Sequence, residues 1–390
     1  MASLPERATH QQTRTFNQQL VLRAVYDRNA ISRADVARAT GLTRTSVSEL
    51  VASLLTDGLL EETGRGPSTG GKAPILLRVR AAGRHLIGID LGEAEFTGAV
   101  VDLRGTILRS QKIPLNGRDG DEALALVFAL IDELVASNGT SPVLGVGVGA
   151  PGIVDPRTGT IRWGVHLGWT DVPLGRMIEE RYGIPAVVAN DSHAAALAEL
   201  TFGLASRPNN LVVVRVGRGI GAGLIINGQP FHGDGSGAGE IGHARTTESN
   251  ERCRCGRIGC LETVASMRAM VAAACAVNPA VTDDATLVDV FRSGRDPKVH
   301  EVVLDGGTVL GRAIGALIAT LNITQILLVG PAAKLGDEWL NAVRVAASTA
   351  ALEQLATETT IDLGADHEDI VLLGASALLM NTELGLSLAR

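Results

Sequence analysis

The sequence is poor in aromatic residues, in cysteine and in long apolar runs. Aromatic residues make up only 3%, whereas 46 glycines predict many tight turns. Four cysteines in 390 residues exclude the disulfide framework of a small secreted protein. The first dozen residues have no apolar stretch, and the longest apolar region, residues 310–333, is interrupted by Arg312, Asn322 and Gln325. A membrane span needs about 20 apolar residues, so we expect no signal peptide, no membrane span and a cytoplasmic protein.

Charge is distributed unevenly along the chain. Residues 1–80 contain 11 Lys and Arg against 7 Asp and Glu, whereas the remainder contains 24 against 35. A small basic module is therefore joined to a large acidic body, and 390 residues allow two or three domains of roughly 150 residues each. Because an acidic body repels nucleic acid, any contact with nucleic acid should be confined to the N-terminal module.

The first 60 residues predict a helix-turn-helix. We expect helices over residues 16–31, 36–39 and 43–57. A Ser-x-x-Asp capping pattern at residues 32–35 begins the second helix, and Gly41 supplies the turn before the third. In the third helix, apolar side chains recur at i, i+3, i+4 and i+7, which predicts one buried stripe. The stripe consists of Val47, Leu50, Val51 and Leu54.

The opposite face of the third helix carries an arginine and small hydroxyl residues, which suit a DNA major groove. Two predicted strands, residues 59–62 and 75–78, enclose a glycine-rich basic loop. This hairpin predicts a wing that reaches phosphates or a minor groove. The alternative is a small helical bundle that docks another protein. The predicted DNA contacts are Arg44, Thr45, Ser48, Arg65 and Lys72.

From residue 85 onward, short apolar strands alternate with helices, which is typical of α/β architecture. The segments 86–92 and 212–219 are each a strand that ends in a glycine-containing loop. The similarity of these two segments predicts a duplicated two-lobe fold with a cleft between the lobes. The predicted strands are residues 86–89, 144–148, 186–188, 211–214 and 326–329, and the predicted helices include residues 121–136 and 192–204.

Three of the four cysteines lie within eight residues, and a histidine lies ten residues before the first of them. Three thiolates and one imidazole complete a tetrahedral structural zinc site with no open position. The sequence therefore predicts one structural Zn²⁺. The alternative is a set of free buried cysteines with an unrelated histidine. The predicted ligands are His243, Cys253, Cys255 and Cys260.

Polar side chains surround this cluster in the sequence. Glu240 and Glu262 flank the predicted metal ligands, and Asn190 and Asp191 follow a predicted strand directly. Side chains at the carboxyl ends of strands commonly line the cleft of an α/β protein. Carboxylates, an amide and an imidazole together are suited to the hydroxyl groups of a sugar. The alternative is that Asn190 and Asp191 only cap a helix and that the glutamates are solvated.

The sequence resembles the ROK family of repressors and sugar kinases over almost the whole chain. The matching segments are Ala150–Val154, Asn190-Asp191, Gly239–His243 and the cysteine-rich segment 253–262. The N-terminal module matches the repressor branch. The resemblance implies an actin/hexokinase-like two-lobe body that holds a sugar between its lobes. It assigns the sugar contacts to Asn190, Asp191, Glu240, His243 and Glu262.

The phosphate-binding loops depart from those of the family's kinases. The kinases have Asp-x-Gly-Gly-Thr-Lys where this chain has Asp-Leu-Gly-Glu-Ala-Glu at residues 90–95. Glu93 and Glu95 are expected to repel phosphates, and Arg218 replaces the threonine of the second loop. We therefore expect no catalytic residue, with Asp191 as the vestigial form of the general base. The alternative is an ATP-dependent, glucokinase-like sugar kinase that also binds DNA.

We predict three units and one function. The units are a winged helix-turn-helix (residues 1–80), a small α/β lobe (84–200, completed by a C-terminal helix, 372–390) and a larger α/β lobe with the zinc site (201–371). The predicted function is a transcriptional repressor with a small sugar as its effector. A homodimer or homotetramer would bind an inverted-repeat operator in double-stranded DNA. A zinc-responsive regulator is disfavoured, because a closed Cys₃His site does not release its ion readily.

Overall fold

A computed structural model describes residues 9–67, 73–203, 208–245, 249–365 and 368–386. The described chain forms an N-terminal winged helix followed by two α/β lobes that face each other across a cleft. The predicted fold class is therefore confirmed.

The winged helix consists of three helices and a three-stranded antiparallel sheet in which β3 lies between β1 and β2. Thr9, Ser32 and Thr43 cap the three helices, each by accepting a hydrogen bond from the backbone N–H three residues on. The first helix lies earlier than predicted, because Thr9 begins it and Asn29 ends it in the left-handed region (φ 59°). The elements are α1 (His10–Arg28), β1 (Ile31–Ser32), α2 (Arg33–Thr40), α3 (Arg44–Thr56), β2 (Leu60–Arg65) and β3 (Ile75–Val79).

The first lobe is built on a five-stranded sheet of order β11-β7-β4-β5-β6, beside a small sheet of order β10-β9-β8. One turn of π-helix, Glu199–Gly203, follows its last helix. The elements are β4 (His85–Leu91), β5 (Glu95–Asp102), β6 (Ile107–Pro114), α4 (Gly120–Ser137), β7 (Val143–Ala150), β8 (Ile153–Asp155), β9 (Thr160–Gly164), β10 (Trp169–Val172), α5 (Leu174–Tyr182), β11 (Ala186–Asn190) and α6 (Asp191–Ala198).

The second lobe is built on a five-stranded sheet of order β14-β13-β12-β15-β16. The chain then returns to the first lobe in a final helix. The elements are β12 (Leu211–Val216), β13 (Ile220–Ile226), β14 (Gln229–Pro230), α7 (Glu262–Ala265), α8 (Met267–Val277), α9 (Asp284–Ser293), α10 (Pro297–Leu321), β15 (Gln325–Val329), α11 (Asp337–Ala350), α12 (Glu353–Glu358), β16 (Thr360–Leu363) and α13 (Ile370–Leu384).

The two large sheets repeat one topology. In each, the first three strands pair antiparallel in chain order, and the last two strands add in parallel on the other side of the first. The first strand of each sheet, β4 or β12, is therefore central. Because parallel strands end at the same edge, the turns that follow them meet on one side of each sheet. These two edges form the walls of the cleft.

Helices α6 and α13 fill the layer between the sheets. α13 packs on β4 and β7, α6 packs on β12 and β13, and the two helices pack against each other. Glycine permits these close approaches. A Cβ at Gly374 would lie 1.7 Å from the carbonyl oxygen of Ala194, and one at Gly147 would lie 2.3 Å from that of Ala375. A continuous apolar core runs from this layer into the winged helix.

The winged helix is docked on the first lobe. Arg104, in the turn between β5 and β6, donates a hydrogen bond from Nη1 to the carbonyl oxygen of Tyr26 at 2.9 Å. Its guanidinium also lies 4.2 Å from the centre of the Tyr26 ring, a cation–π contact. Next to it, the backbone N–H of Leu103 donates to the carbonyl oxygen of Ala81 at 3.1 Å. Arg104 therefore ties the winged helix to the first lobe.

Helix α10 is long and apolar enough, by length and composition alone, to cross a membrane. Half of that stretch is buried inside the protein. A Cβ at Gly311 would lie 2.3 Å from the carbonyl oxygen of Val343, and one at Gly315 would lie 2.8 Å from that of Ala347. Close packing inside the second lobe, with Gly311 and Gly315 against α11, therefore accounts for the apolar residues of α10.

Candidate functional site

A cavity of about 900 Å³ lies between the lobes, a volume that accommodates a small molecule. The turns after β4, β11 and β12 and the segment around the cysteine cluster line it. Trp163 also lines it and is 43% exposed, although the sequence pattern did not single it out. The five residues predicted to contact a sugar all line this one cavity: Asn190, Asp191, Glu240, His243 and Glu262.

Asn190 is buried and mainly structural. Its Oδ1 accepts hydrogen bonds from the backbone N–H groups of Ser192 (2.9 Å) and His193 (3.2 Å), so it caps α6. Its Nδ2 donates to the carbonyl oxygen of Gly152 at 3.0 Å. The capping role considered from the sequence therefore applies to Asn190. One amide N–H is left for a ligand, since the amide carries two donors.

Asp191 is ion-paired with a residue that sequence reasoning missed. Its Oδ2 accepts a hydrogen bond from Arg215 Nη1 at 3.0 Å, and its Oδ1 accepts one from the backbone N–H of Ser192 at 2.7 Å. Both side chains of the ion pair are largely buried, with 17% of Asp191 and 21% of Arg215 exposed. Arg215 interrupts a run of valines in β12, and a charge inside a buried strand was the signal that would have found it.

A second carboxylate acts on the same guanidinium. Asp90 lies at the end of β4, where its Cα pairs with Gly149 of β7. Burial raises the pKa of Asp90 to about 6, although the charge of Arg215 opposes the rise. Burial also lowers the pKa of Arg215, but Asp191 and Asp90 raise it more, so the guanidinium stays charged. Two first-lobe carboxylates thus share one second-lobe cation.

Glu240 and His243 belong to a short segment pinned to β13. A Cβ at Gly239, whose φ is +92°, would lie 1.8 Å from the carbonyl oxygen of Ala222, so only glycine fits. His243 Nε2 lies 3.8 Å from Glu240 Oε2, and its Nδ1 lies 3.8 Å from Glu262 Oε1. Burial raises the pKa of Glu240 to about 7, and neighbouring carboxylates add to the rise. Near pH 7 this side chain can therefore both donate and accept a hydrogen bond.

The four predicted metal ligands converge. One ligand atom from each lies within 4.8 Å of all the others. Cys253 Sγ is 3.6 Å from His243 Nδ1, and Cys255 Sγ is 3.7 Å from Cys260 Sγ. Sulfurs about 2.3 Å from a tetrahedral Zn²⁺ would lie about 3.8 Å apart, so these spacings fit a metal ion. The cluster can hold one ion, with His243 Nε2 left on the side of Glu240.

The predicted DNA contacts that the structure describes lie on the surface of the winged helix. Arg44, Thr45 and Ser48 are exposed on α3, opposite its buried apolar stripe. Ser48 Oγ donates a hydrogen bond to the carbonyl oxygen of Arg44 at 2.9 Å. Arg65 is exposed at the end of β2, whereas Lys72 lies outside the described residues. An exposed arginine and hydroxyl residues thus share one helix face.

Two family models match the chain. The ROK family matches residues 86–382, and the MarR family matches residues 13–68. The chain belongs to the ROK family. It is 34% identical over 265 residues to the xylose repressor of Caldicellulosiruptor bescii, a match that covers 67% of this chain and 66% of that protein.

Two solved structures extend the comparison. The crystal structure of a ROK family transcriptional regulator, a homolog of the Escherichia coli MLC protein, has a TM-score of 0.81 and 25% identity, and the match covers 96% of this chain and 98% of that one. A ROK family glucokinase from Streptomyces griseus, in complex with glucose and AMPPNP, has a TM-score of 0.69 and 25% identity, covering 75% of this chain and 98% of that one. The regulator therefore matches nearly the whole chain, and the kinase matches three quarters of it.

The two loops that were expected from the sequence to differ from those of the family's kinases are ion-paired. Arg218 Nε lies 3.2 Å from Glu93 Oε2, and Arg254 Nη1 pairs with the other oxygen of the same carboxylate. Lys112 Nζ donates a hydrogen bond to Glu95 Oε1 at 2.8 Å. The negative charges expected to repel phosphates are thus offset by neighbouring cations. The carboxylate of Glu93 lies between the two loops and is bound by Arg218 and Arg254.

His166 lies at the same place. Its Nδ1 is 3.0 Å from Arg254 Nη1, so the ring accepts a hydrogen bond from the guanidinium. Burial lowers the pKa of His166, and Arg254 lowers it further against the opposing charge of Glu93. A neutral ring is the form that can accept this bond. His166 therefore helps to hold the arginine that contacts Glu93.

Proposed function

We propose that this ROK protein is a sugar-responsive, DNA-binding transcriptional repressor. The observation that carries the proposal is that a winged helix with an exposed arginine and hydroxyl face is joined to an interlobe cleft whose Asp191 is ion-paired with Arg215. A regulator needs a DNA-binding surface and an effector site but no turnover. The similarity to a xylose repressor and to a ROK transcriptional regulator supports this function.

The DNA-binding surface is the exposed face of α3 together with the wing. Arg44, Thr45 and Ser48 contact base edges in a major groove, and Arg65 and Lys72 contact phosphates. A homodimer or homotetramer binds an inverted repeat in double-stranded DNA, with half-sites one or more helical turns apart. The protein binds its operator in the cytoplasm and has no membrane partner.

The effector is a small sugar held in the interlobe cleft. Asp191, Glu240 and Glu262 accept hydrogen bonds from its hydroxyl groups, His243 offers Nε2, and Asn190 offers its remaining N–H. An effector acts only through its different affinity for the DNA-binding and non-binding states. Because the winged helix is docked on the first lobe, a change in the angle between the lobes alters its position.

The Cys₃His cluster holds one structural Zn²⁺ per chain. Nδ1 of His243 binds the ion, so the ring is fixed with Nε2 toward the cavity, and Glu240 and Glu262 are fixed with it. Metal analysis should find about one zinc per chain. Cys255→Ser should lower the zinc content and the thermal stability, whereas the matched control Cys275→Ser, which is exposed and outside the cluster, should change neither. Less than half a zinc per wild-type chain would refute the site.

A sugar kinase that also binds DNA is the second candidate. Asp191 and the similarity to a glucokinase favour it. Against it, Arg215 engages the carboxylate that would act as general base, and Glu93 stands between the two phosphate loops. Phosphoryl transfer depends on positioning and neutralising the γ-phosphate, which these contacts obstruct. A coupled ADP-release assay with several sugars should detect no turnover, and a rate of about one per second with any sugar would establish the kinase.

The decisive experiment measures DNA binding and sugar response in the full-length protein. An operator is selected from a random double-stranded library, and fluorescence anisotropy then follows its binding with a panel of common sugars. Asp191→Asn should need about tenfold more sugar than the wild type to produce its half-maximal change in operator binding. The matched control Asp171→Asn, whose carboxylate is exposed and pairs only with Arg162 among the described residues, should respond normally. No sugar effect in the wild type, or equal responses of the two variants, would contradict the proposal.

A further inference from the structure

Two histidines face each other beside residues that line the cavity. His193 lies on α6, two residues after Asp191, and His232 lies in the segment that joins β14 to Glu240. Their Nδ1 atoms are 3.0 Å apart, and the rings meet edge to face with their centres 4.7 Å apart. Only 3% of His193 is exposed. A buried polar ring needs hydrogen-bond partners, and His232 is one of them.

The second partner of His193 fixes where the hydrogens lie. His193 Nε2 is 2.9 Å from the carbonyl oxygen of Ala238, and a carbonyl can only accept, so Nε2 carries a hydrogen. Burial, together with the charge on His232, lowers the pKa of His193 to about 4, although Ala238 and Asp191 oppose the shift. The ring is therefore neutral near pH 7, and its Nδ1 is an acceptor. The hydrogen between the two rings consequently belongs to Nδ1 of His232.

The hydrogen-bond chain closes through the backbone of Ala238. The N–H of Ala238 donates to the carbonyl oxygen of His232 at 3.0 Å, while its carbonyl oxygen accepts from the His193 ring. Both polar backbone groups of Ala238 are thus bound by the two histidines. Because Ala238 lies two residues before Glu240, the histidines fix the chain where it enters the segment that carries Glu240 and His243.

The same pair is tied to the beginning of α6. The backbone N–H of His193 donates a hydrogen bond to Asn190 Oδ1 at 3.2 Å. Asn190 and Asp191 line the cavity from this side, and Glu240 lines it from the segment after Ala238. His193 therefore joins two parts of the predicted sugar site that are far apart in the sequence, through its backbone to one part and through its ring to the other.

We propose that His193 and His232 are positioning residues of the effector site, which hold Glu240 in register with Asn190 and Asp191. The proposal rests on the proposed function, because it assigns the pair a part in binding the same sugar. The hydrogen-bond chain runs in one direction, from the His232 ring through the His193 ring to the backbone carbonyl. The other tautomer of His193 would place two hydrogens between the Nδ1 atoms, and the other tautomer of His232 would place none there. Both rings are therefore needed in the tautomers described.

Sugar binding by variants of His232 tests the proposal in the full-length protein. Isothermal titration with glucose, xylose and N-acetylglucosamine first establishes which of them the wild type binds. His232→Leu should bind that sugar about tenfold more weakly, because the donor to His193 is lost. His232→Asn should restore most of the affinity, because its amide N–H can take the place of Nδ1–H. The matched control Phe231→Leu, at the neighbouring position and 44% exposed, should bind as the wild type does.

Nitrogen NMR of protein labelled with ¹⁵N-histidine distinguishes this hydrogen-bond chain from simple packing. At about pH 7 the hydrogen should lie on Nε2 of His193 and on Nδ1 of His232, with the signals assigned by their loss in His193→Gln and His232→Asn. The other tautomer at either ring would overturn the proposal, as would equal sugar affinities of His232→Leu and the wild type, or no recovery in His232→Asn. If His232→Leu does not fold, the tautomers and the affinity of His232→Asn decide. A wild type that binds none of the three sugars would instead contradict the proposed function, on which this proposal rests.

Discussion

Replacing Arg215 with methionine should destabilise the protein far more than removing an exposed ion pair does. Methionine keeps most of the length of the side chain but leaves Asp191 and Asp90 without their shared cation. Removing one partner of a buried ion pair costs roughly 3–5 kcal/mol. Because 21% of Arg215 and 17% of Asp191 remain exposed, solvent screens the pair partly, and we expect about 3 kcal/mol, the lower end of that range.

The matched control is Arg162→Met. Arg162 Nε lies 2.8 Å from Asp171 Oδ1, but these side chains are 57% and 65% exposed. Exposed pairs contribute about 0.2–1 kcal/mol. For a cooperative unit of 150–250 residues, 1 kcal/mol corresponds to roughly 2–4 °C in Tm. Thermal denaturation at pH 8 should therefore show Arg215→Met losing roughly 6–12 °C, and Arg162→Met losing a few degrees at most.

The pH dependence gives the same prediction a second test. The pKa of Asp90 is raised from 3.8 to about 6 in the folded protein, so the folded state binds the proton more tightly than the unfolded state. The free energy of unfolding therefore falls as the pH rises from about 4 to about 6, because Asp90 ionises more readily in the unfolded chain. Above about pH 6 it stays at the lower value. Without Arg215 the pKa of Asp90 should rise further. The deficit of Arg215→Met should therefore shrink as the pH falls from 8 to 5. Equal losses in both variants, or a deficit that grows on acidification, would refute the interaction of Arg215 with Asp191 and Asp90.

Three further predictions concern DNA binding, interdomain coupling and core packing. Arg44→Ala should lower the ratio of specific to non-specific DNA affinity about tenfold, whereas Arg65→Ala should weaken all DNA alike and reduce the salt slope by about one; titrations at several salt concentrations distinguish the two. Arg104→Ala should raise the sugar concentration needed to change operator binding without changing operator affinity, and an unaltered sugar titration would contradict the docking role. Gly311→Ala should cost about 1–3 kcal/mol, because its Cβ would lie 2.3 Å from the carbonyl oxygen of Val343, and thermal denaturation would measure the loss.

The parts of the fold that the sequence predicted well depend on local signals. The helix-turn-helix follows from caps and an apolar stripe that lie within a few residues of each other, and Ser32 and Thr43 cap their helices as such signals require. Strand β6 was missed because five of its eight residues in a row are exposed, so it carries no apolar run. Strands β8 and β14 have three and two residues, too few for any periodicity.

Some parts of the candidate site could likewise be predicted from local signals in the sequence, and other parts could not. The metal ligands lie close together in the sequence, so their chemistry is visible in the spacing. The contacts of Asp191 with Arg215 and of Glu93 with Arg254 join residues 24 and 161 positions apart. Only the tertiary fold brings the partners together, and for that reason the sequence did not predict the ion pairs of Asp191 and Glu93.

The two ion-paired clusters explain how a ligand can alter the angle between the lobes. In both, a carboxylate of the first lobe, Asp191 or Glu93, contacts arginine of the second lobe, Arg215 or Arg218. The lobes are thus held together by charges that face the cavity. On the proposed function, a sugar hydroxyl that binds Asp191 would compete with Arg215, one of the partners that join the lobes. We therefore expect ligand binding and lobe separation to involve the same contacts, and we expect the winged helix, which is docked through Arg104, to follow the first lobe.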